Sequence, residues 1–192
     1  MRVLVACEFS GRVRDAFRAR GHEAWSCDLL PSERPGPHIQ GDIRAVPLDT
    51  VDLLVAFPPC RYLAVSGARW WIGREREQAE AIAFVRWLLA APVPRIAVEN
   101  PRGVLSGVIG PPTQVVHPWW FGHPETKATC LWLTRLPALR PTTLTFQLRT
   151  GRVHREPPGP DRWKRRSRTL PGLAAAMAAQ WGGDVAAEEV RV

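Results

Sequence analysis

The stretch from Val51 to Cys60, Val-Asp-Leu-Leu-Val-Ala-Phe-Pro-Pro-Cys, limits what this chain can fold into more than any other. Its mostly apolar run is too short for an ordinary helix and has the length of a strand buried on both faces. Pro58 and Pro59 end that strand, because proline has no N–H to give to a sheet ladder. Cys60 follows the stop at once. In open α/β sheets the ligand crevice lies outside the carboxyl ends of the strands, so a thiol there is a candidate nucleophile. The plainer alternative is a small apolar residue filling a strand end, since free cysteine is among the most buried types.

The segments around it repeat the theme. Arg2–Cys7 reads as a buried first strand, Glu8-Phe9-Ser10-Gly11 as a tight turn, and Val13, Ala16, Phe17 and Ala19 as a helical pattern that stops at Gly21. His22–Cys27 reads as a second strand with Asp28 at its end, which makes a βαβ opening. The serine and glycine of the first turn let a ligand approach the helix N-terminus. An acid about 20 residues further on can take ribose hydroxyls. Residues 31–38 form a loop, and Asp42 after it either accepts from the exocyclic amine of a nucleoside or caps a turn. A loop over 61–71 carries Arg61, Trp70 and Trp71, and helical spacing covers 74–91. The strand Arg95–Val98 ends at Glu99-Asn100-Pro101. If the two proline-stopped strands are neighbours, Cys60 and Glu99 share one crevice; the alternative for Glu99 is a solvated loop acid. Short strands follow over 113–121 and 127–133, with His123 between them as a structural hydrogen-bonding residue or a base. Pro171–Trp181 reads as a helix ending at Gly182-Gly183.

Charge narrows the partner. The chain of 192 residues carries +8 at a pI of 10.5. Residues 135–168 concentrate Arg135, Arg140, Arg149, Arg152, Arg155, Arg162, Lys164, Arg165, Arg166 and Arg168 against Glu156 and Asp161. Such clustering in a proline-rich segment suits a polyanion better than a merely solubilising surface. No apolar run approaches a membrane span, and no basic leader with an apolar core opens the chain. Cys7, Cys27, Cys60 and Cys130 form no CxxC pair, which speaks against a metal site and for reduced thiols in the cytoplasm. The length suits one domain, and a monomer is expected.

Together these motifs resemble the cytosine-C5 DNA methyltransferases, and more specifically short, phage-associated-type methyltransferase-like proteins that lack a large target-recognition domain. Phe9-Ser10-Gly11 is similar to the family's Phe-x-Gly cofactor turn, without its further glycines. Asp28 matches the ribose acid, Gly41-Asp42-Ile43 the adenine segment, Pro59-Cys60 the nucleophile pair, and Glu99-Asn100 the Glu-Asn of Glu-Asn-Val, with Pro101 for valine. Pro124-Glu125-Thr126-Lys127-Ala128-Thr129 lies where the family has Pro-Gln-x-Arg-x-Arg, so Lys127 and Thr129 replace its arginines. Where full-length relatives carry a recognition domain, only residues 134–168 stand before the last helix.

The resemblance implies a Rossmann-like α/β fold of the S-adenosylmethionine-dependent methyltransferase type, with a mostly parallel sheet and helices on both faces. It would be one domain over 1–192: a catalytic core over 1–134, the basic segment over 135–168, and a helix over 169–183 packed near the first strand. It implies a DNA (cytosine-5-)-methyltransferase. Cys60 would add to C6, Glu99 would supply a proton at N3, and Lys127 would face O2 or a phosphate. S-Adenosylmethionine would lie over Phe9, Ser10 and Gly11, with Asp28 at the ribose and Asp42 at the adenine. Arg61, Arg162, Lys164, Arg165, Arg166 and Arg168 would contact DNA. The alternatives are C5 chemistry on RNA or a free nucleotide, and a catalytically inactive nucleic-acid-binding module. Amino-methylation is disfavoured, because the segment Phe57-Pro58-Pro59-Cys60 lacks the polar acceptor that such sites place before the prolines.

Overall fold

Strands that are apolar along their whole length need cover on both faces. The chain supplies it with helices before and after the central strands. The computed structural model describes residues 1–143, 150–151 and 155–183; Arg149 and Arg152 of the basic segment lie outside the described residues. In order, the elements are β1 (Arg2–Ala6), α1 (Arg12–Arg18), β2 (Glu23–Asp28), β3 (His38–Gln40), β4 (Leu53–Ala56), α2 (Glu75–Leu89), β5 (Arg95–Pro101), α3 (Leu105–Val108), β6 (Gln114–Val116), β7 (Thr129–Thr134), α4 (Arg162–Ser167) and α5 (Pro171–Gly182).

Among the described residues the strands form one seven-stranded sheet in the order β3-β2-β1-β4-β5-β7-β6. β1 to β5 pair in parallel, and β7 runs antiparallel to both β5 and β6. Alternation along each strand splits the core in two. Val3, Val5, Leu53, Val55 and Ala97 point to one face, where they meet Val13 and Phe17 of α1 and Leu173, Met177 and Trp181 of α5. Leu4, Ala6, Leu54, Ala56, Ile96 and Val98 point to the other, where they meet Val85 and Leu88 of α2. The expected α/β, Rossmann-like architecture, a mostly parallel sheet with helices on both faces, is the one observed, and α5 shares a core with β1.

Three boundaries differ from the sequence expectation. β1 stops at Ala6, because Cys7 takes a left-handed φ of 58°, which breaks the ladder. β5 does not end at Val98 but continues through Glu99, Asn100 and Pro101, because β7 offers an antiparallel partner there: Glu99 faces Leu131, Asn100 faces Cys130 and Pro101 faces Thr129. The segment read as irregular between 134 and 168 contains α4, a six-residue helix whose side chains are largely basic.

Met177 is fully buried at the centre of the α5 face. Met177→Ala should therefore lower unfolding free energy by about 2–5 kcal/mol. Urea denaturation would show this as a lower midpoint at unchanged slope. A loss below 1 kcal/mol would mean that α5 is peripheral (the scale for surface sites is about ±0.5 kcal/mol).

Candidate active site

Cys60 stands on a turn fixed from two sides. Pro58 and Pro59 stop β4, while β5 runs on past it. Asn100, on that overhang, is fully buried and donates Nδ2–H to the Pro58 carbonyl at 3.0 Å. On the far side of Cys60, residues 63–65 are pinned to 102–104. Val65 N–H donates to the Arg102 carbonyl and Val104 N–H to the Leu63 carbonyl, each at 3.0 Å. Gly103 is required there, since a Cβ would lie 1.8 Å from the Leu63 carbonyl oxygen. Sequence reasoning quoted Asn100 only as part of a motif and gave Gly103 no role. The signal for both was a strand end followed by Pro101-Arg102-Gly103, a turn tight enough to touch its neighbour.

The structure brings Cys60, Glu99 and Lys127 together and adds Arg166. Cys60 is exposed, whereas Cys27 and Cys130 are buried and Cys7 is half-buried. Protein around the Cys60 sulfur still raises its pKa by desolvation, and the Glu99 carboxylate raises it further; Lys127 and, more weakly, Arg166 oppose the rise. Glu99 Oε1 accepts a short hydrogen bond from Thr129 Oγ1, which also donates to the Asn100 carbonyl at 3.2 Å. Thr129 thus holds the candidate acid by its hydroxyl. Lys127 Nζ donates to the Arg166 carbonyl at 3.1 Å. Arg61 lies over the Tyr62 ring at the exposed rim of the same turn. His123 has a structural role: its Nε2 accepts the Gly172 N–H at 2.9 Å at the start of α5. Burial is the main cause that lowers its pKa.

A cleft of ≈ 370 Å³ opens beside this turn at the ends of β1 and β2. Asp28, Asp42, Leu29, Ile43, Phe84 and Pro59 line it. Arg44 and Glu80 line it as well, and carboxylates beside apolar and aromatic walls suit a nucleoside, with hydroxyls on the acids and a base against Phe84. Asp28 is the last residue of β2; partial burial raises its pKa while the Leu30 N–H, donating at 3.0 Å, opposes the rise. Asp42 is already engaged. It caps the turn at Ile43–Ala45 and takes a forked ion pair from Arg44, which lowers its pKa to about 2. An adenine amine at Asp42 would share that carboxylate with Arg44.

A second, smaller cavity of ≈ 40 Å³ lies against Cys7, Glu8, Phe9 and Ser10, roofed by Phe57, Ser167 and Thr169. Glu8, which sequence reasoning passed over, is buried and accepts from Ser10 Oγ at 2.6 Å and Val13 N–H at 3.2 Å. Gly11 opens α1 at a φ of 69°, and a Cβ there would lie 2.5 Å from the guanidinium of fully buried Arg14. That arginine holds the loop after β2 through Ser32 Oγ and the Arg34, Pro35 and Pro37 carbonyls.

The basic residues of α4 lie close to the site, and protein groups already occupy several of them. Arg165 donates to the Glu156 carboxylate at 2.7 Å, and Lys164 sits 3.6 Å from Asp161. Arg162 donates to the Glu156 carbonyl at 2.7 Å. Arg168 forks onto Glu33 at 2.7 and 2.8 Å. A phosphate at Arg165, Lys164 or Arg168 would compete with a carboxylate. Among the described residues no group of three or more His, Cys, Asp or Glu is placed to hold a metal ion. No helix there is long and apolar enough to cross a membrane.

No protein-family model matches this sequence, and no curated protein matches it. Similar solved structures include an rRNA methylase from Escherichia coli, 17% identical over 69% of this chain and 55% of that one, with a TM-score of 0.37. The 16S rRNA methylase RmtB is 19% identical over 69% of this chain and 54% of that one, with a TM-score of 0.36. A Spodoptera frugiperda DNMT2 is 12% identical over 77% of this chain and 54% of that one, with a TM-score of 0.39. The chain spans about half the length of these structures. The fold class rests on the sheet order, and the chemistry rests on the site.

The site's electrostatics make a direct prediction. Iodoacetamide should alkylate Cys60 before the other cysteines, slowly at neutral pH and faster as pH rises past the ordinary cysteine value of about 8.5. Peptide mass spectrometry reads the profile. A midpoint below that value would show that the two cations, not desolvation and Glu99, govern the thiol.

Proposed function

We propose that this chain transfers a methyl group from S-adenosylmethionine to C5 of cytosine in DNA. The observation that carries the reading is the convergence of an exposed thiol, a carboxylate and two cations on one crevice at the sheet's carboxyl edge: Cys60, Glu99, Lys127 and Arg166. A nucleoside-sized cleft lined by Asp28 and Phe84 supports it from the donor side.

The residues suit the chemistry step by step. C5 of cytosine is too weak a nucleophile to take a methyl group unaided. The Cys60 thiolate adds to C6, forming an S–C bond and pushing the C5–C6 π pair onto C5. Glu99, bonded to Thr129, gives or shares a proton at N3, where negative charge would otherwise build. That proton movement also changes the charge beside the thiol, since Glu99 is a main cause of its raised pKa. Lys127 supplies positive charge near the ring oxygen. When bound, S-adenosylmethionine supplies an electrophilic sulfonium methyl for C5. A solvent water then takes the C5 proton, the C–H electron pair re-forms the C5–C6 double bond, and the Cys60 sulfur leaves C6 as the thiolate. In a duplex the base must leave the stack to reach Cys60. Arg61 at the rim, exposed Trp70 and the basic face of α4 are the groups suited to hold the opened strand.

The nucleophile is tested by mass spectrometry of nucleosides from DNA and RNA incubated with protein and donor, and by trapping on 5-fluorocytosine DNA. Wild-type protein should yield 5-methylcytosine in DNA and a stable adduct at Cys60. Cys60→Ser should abolish both, and Glu99→Gln should slow transfer by roughly 10²-fold or more. Methylation by Cys60→Ser at the wild-type rate would sink the C5 mechanism, and product confined to RNA would move the substrate.

The donor site is tested by calorimetry with S-adenosylmethionine. Asp28→Ala should cost about 1.5–3 kcal/mol, because ribose hydroxyls would lose a charge-assisted hydrogen bond. An unchanged affinity would remove the donor from the Asp28 cleft.

A further inference from the structure

The cations near the nucleophile arrive from two places in the chain, Lys127 before β7 and Arg166 on α4. On and beside α4, Arg162, Lys164, Arg165 and Arg168 all meet acids or carbonyls of the protein. Arg166 differs. Its Nε is buried and meets no hydrogen-bond partner among the described residues. Its carbonyl is held by Lys127 Nζ, and its charge reaches the Cys60 thiol. The helix that carries it is fastened from two more sides. Trp163 packs against Phe9 with ring centroids 6.0 Å apart, and Arg168 forks onto Glu33. An unmet buried guanidinium N–H is costly, so a site that keeps one invites an acceptor from outside the protein.

We propose that Arg166 belongs to the reaction centre, with its Nε–H meeting the ring carbonyl oxygen of the pyrimidine presented to Cys60, rather than a phosphate on the outer side of α4. This rests on the C5 reading of Cys60. Addition of the thiolate to C6 pushes electron density through the ring onto N3 and the carbonyl oxygen; Glu99 answers the first, and Arg166 would join Lys127, which holds its carbonyl, in answering the second. Arg166 transfers no proton, since a guanidinium stays charged at any working pH; it stabilises the oxygen by a fixed N–H and its charge. A base oxygen suits a buried donor better than a phosphate, because phosphates of a bound strand ride at the protein surface. The two arginines missing at 127 and 129 would thus be answered by a lysine, a threonine and an arginine from about 40 residues further along the chain (Lys127 to Arg166 is a separation of 39).

The test uses the full chain as Arg166→Ala and Arg166→Lys, with Arg162→Ala as control. One readout is the pH profile of iodoacetamide alkylation at Cys60, without donor or nucleic acid. The other is the salt dependence of duplex DNA binding. Arg166→Ala should slow alkylation roughly threefold at about pH 7.5 and move the profile upward, because a nearby positive charge is lost. Arg166→Lys should restore most of the rate, and Arg162→Ala should match wild type. The slope of binding against salt should change little in Arg166→Ala. An unmoved alkylation profile overturns the proposal, and a slope reduced by about one would make Arg166 a phosphate contact instead. If Arg166→Lys behaves like Arg166→Ala, charge is not what matters and the proposal also falls. Alkylation needs no methyl transfer, so a protein that failed to methylate any nucleic acid would leave this result readable.

Discussion

The step between β4 and β5 is the constraint on which the rest of the site depends. β4 has to stop, because Pro58 and Pro59 cannot donate to a ladder. β5 can continue, because β7 lies antiparallel beside it and pairs Glu99, Asn100 and Pro101. Two neighbouring parallel strands of unequal reach leave a ledge at the carboxyl edge of the sheet. The Asn100 amide then bonds the Pro58 carbonyl, so the turn that carries Cys60 is tied to the longer strand. With the thiol just past one strand end and the carboxylate on the next strand, the two groups share a crevice without any long loop having to place them.

That crevice is electrically mixed rather than simply basic. Burial and Glu99 hold the Cys60 proton on, while Lys127 and Arg166 pull the other way. Cys7 and Cys27 lack this balance, and at buried Cys130 only Arg102 opposes burial and Glu99. Burial raises the pKa of Cys27 to about 11, with Asp28 and Asp42 adding to it, and pushes the thiols of Cys7 and Cys130 upward as well. An exposed thiol with a carboxylate and two cations in electrostatic reach is the one whose ionisation a ligand can alter.

The basic segment and the turn before α1 are mechanically joined. Ser167 and Thr169 roof the small cavity beside Phe9 and Ser10, Trp163 packs on Phe9, and Arg12 Nη1 donates to the Thr169 carbonyl at 2.9 Å. Displacing α4 would therefore disturb the turn before α1 as well as the neighbourhood of Cys60. The charge that suits α4 to a polyanion is thus coupled by contact to the small cavity and, through Lys127, to the surroundings of Cys60.

Much of this was legible in the chain itself. The apolar runs at 3–6 and 53–56 suit central strands, since each residue of them is apolar and needs cover on both faces; the prolines after Phe57 mark where the second ends. Helical periodicity placed α2 and α5 within a residue or two, and the order of short motifs pointed to the fold class and to Cys60 and Glu99. Local signals could not carry the rest. β5 outruns Val98 only because a strand some 30 residues later pairs with it. Asp42 bears an acid where a nucleoside amine was expected, yet Arg44 two residues away occupies it. Arg14 sits in a helix pattern like any surface arginine and is buried instead, because five groups of the following strand and loop converge on it. Arg166 looks in sequence like its basic neighbours, and only the docking of α4 brings its charge within reach of the thiol. Sequence determined which groups exist and where strands must stop, because propensity and proline act locally. Tertiary structure decided which charges face each other, because electrostatic partners are set by distance in space and not along the chain.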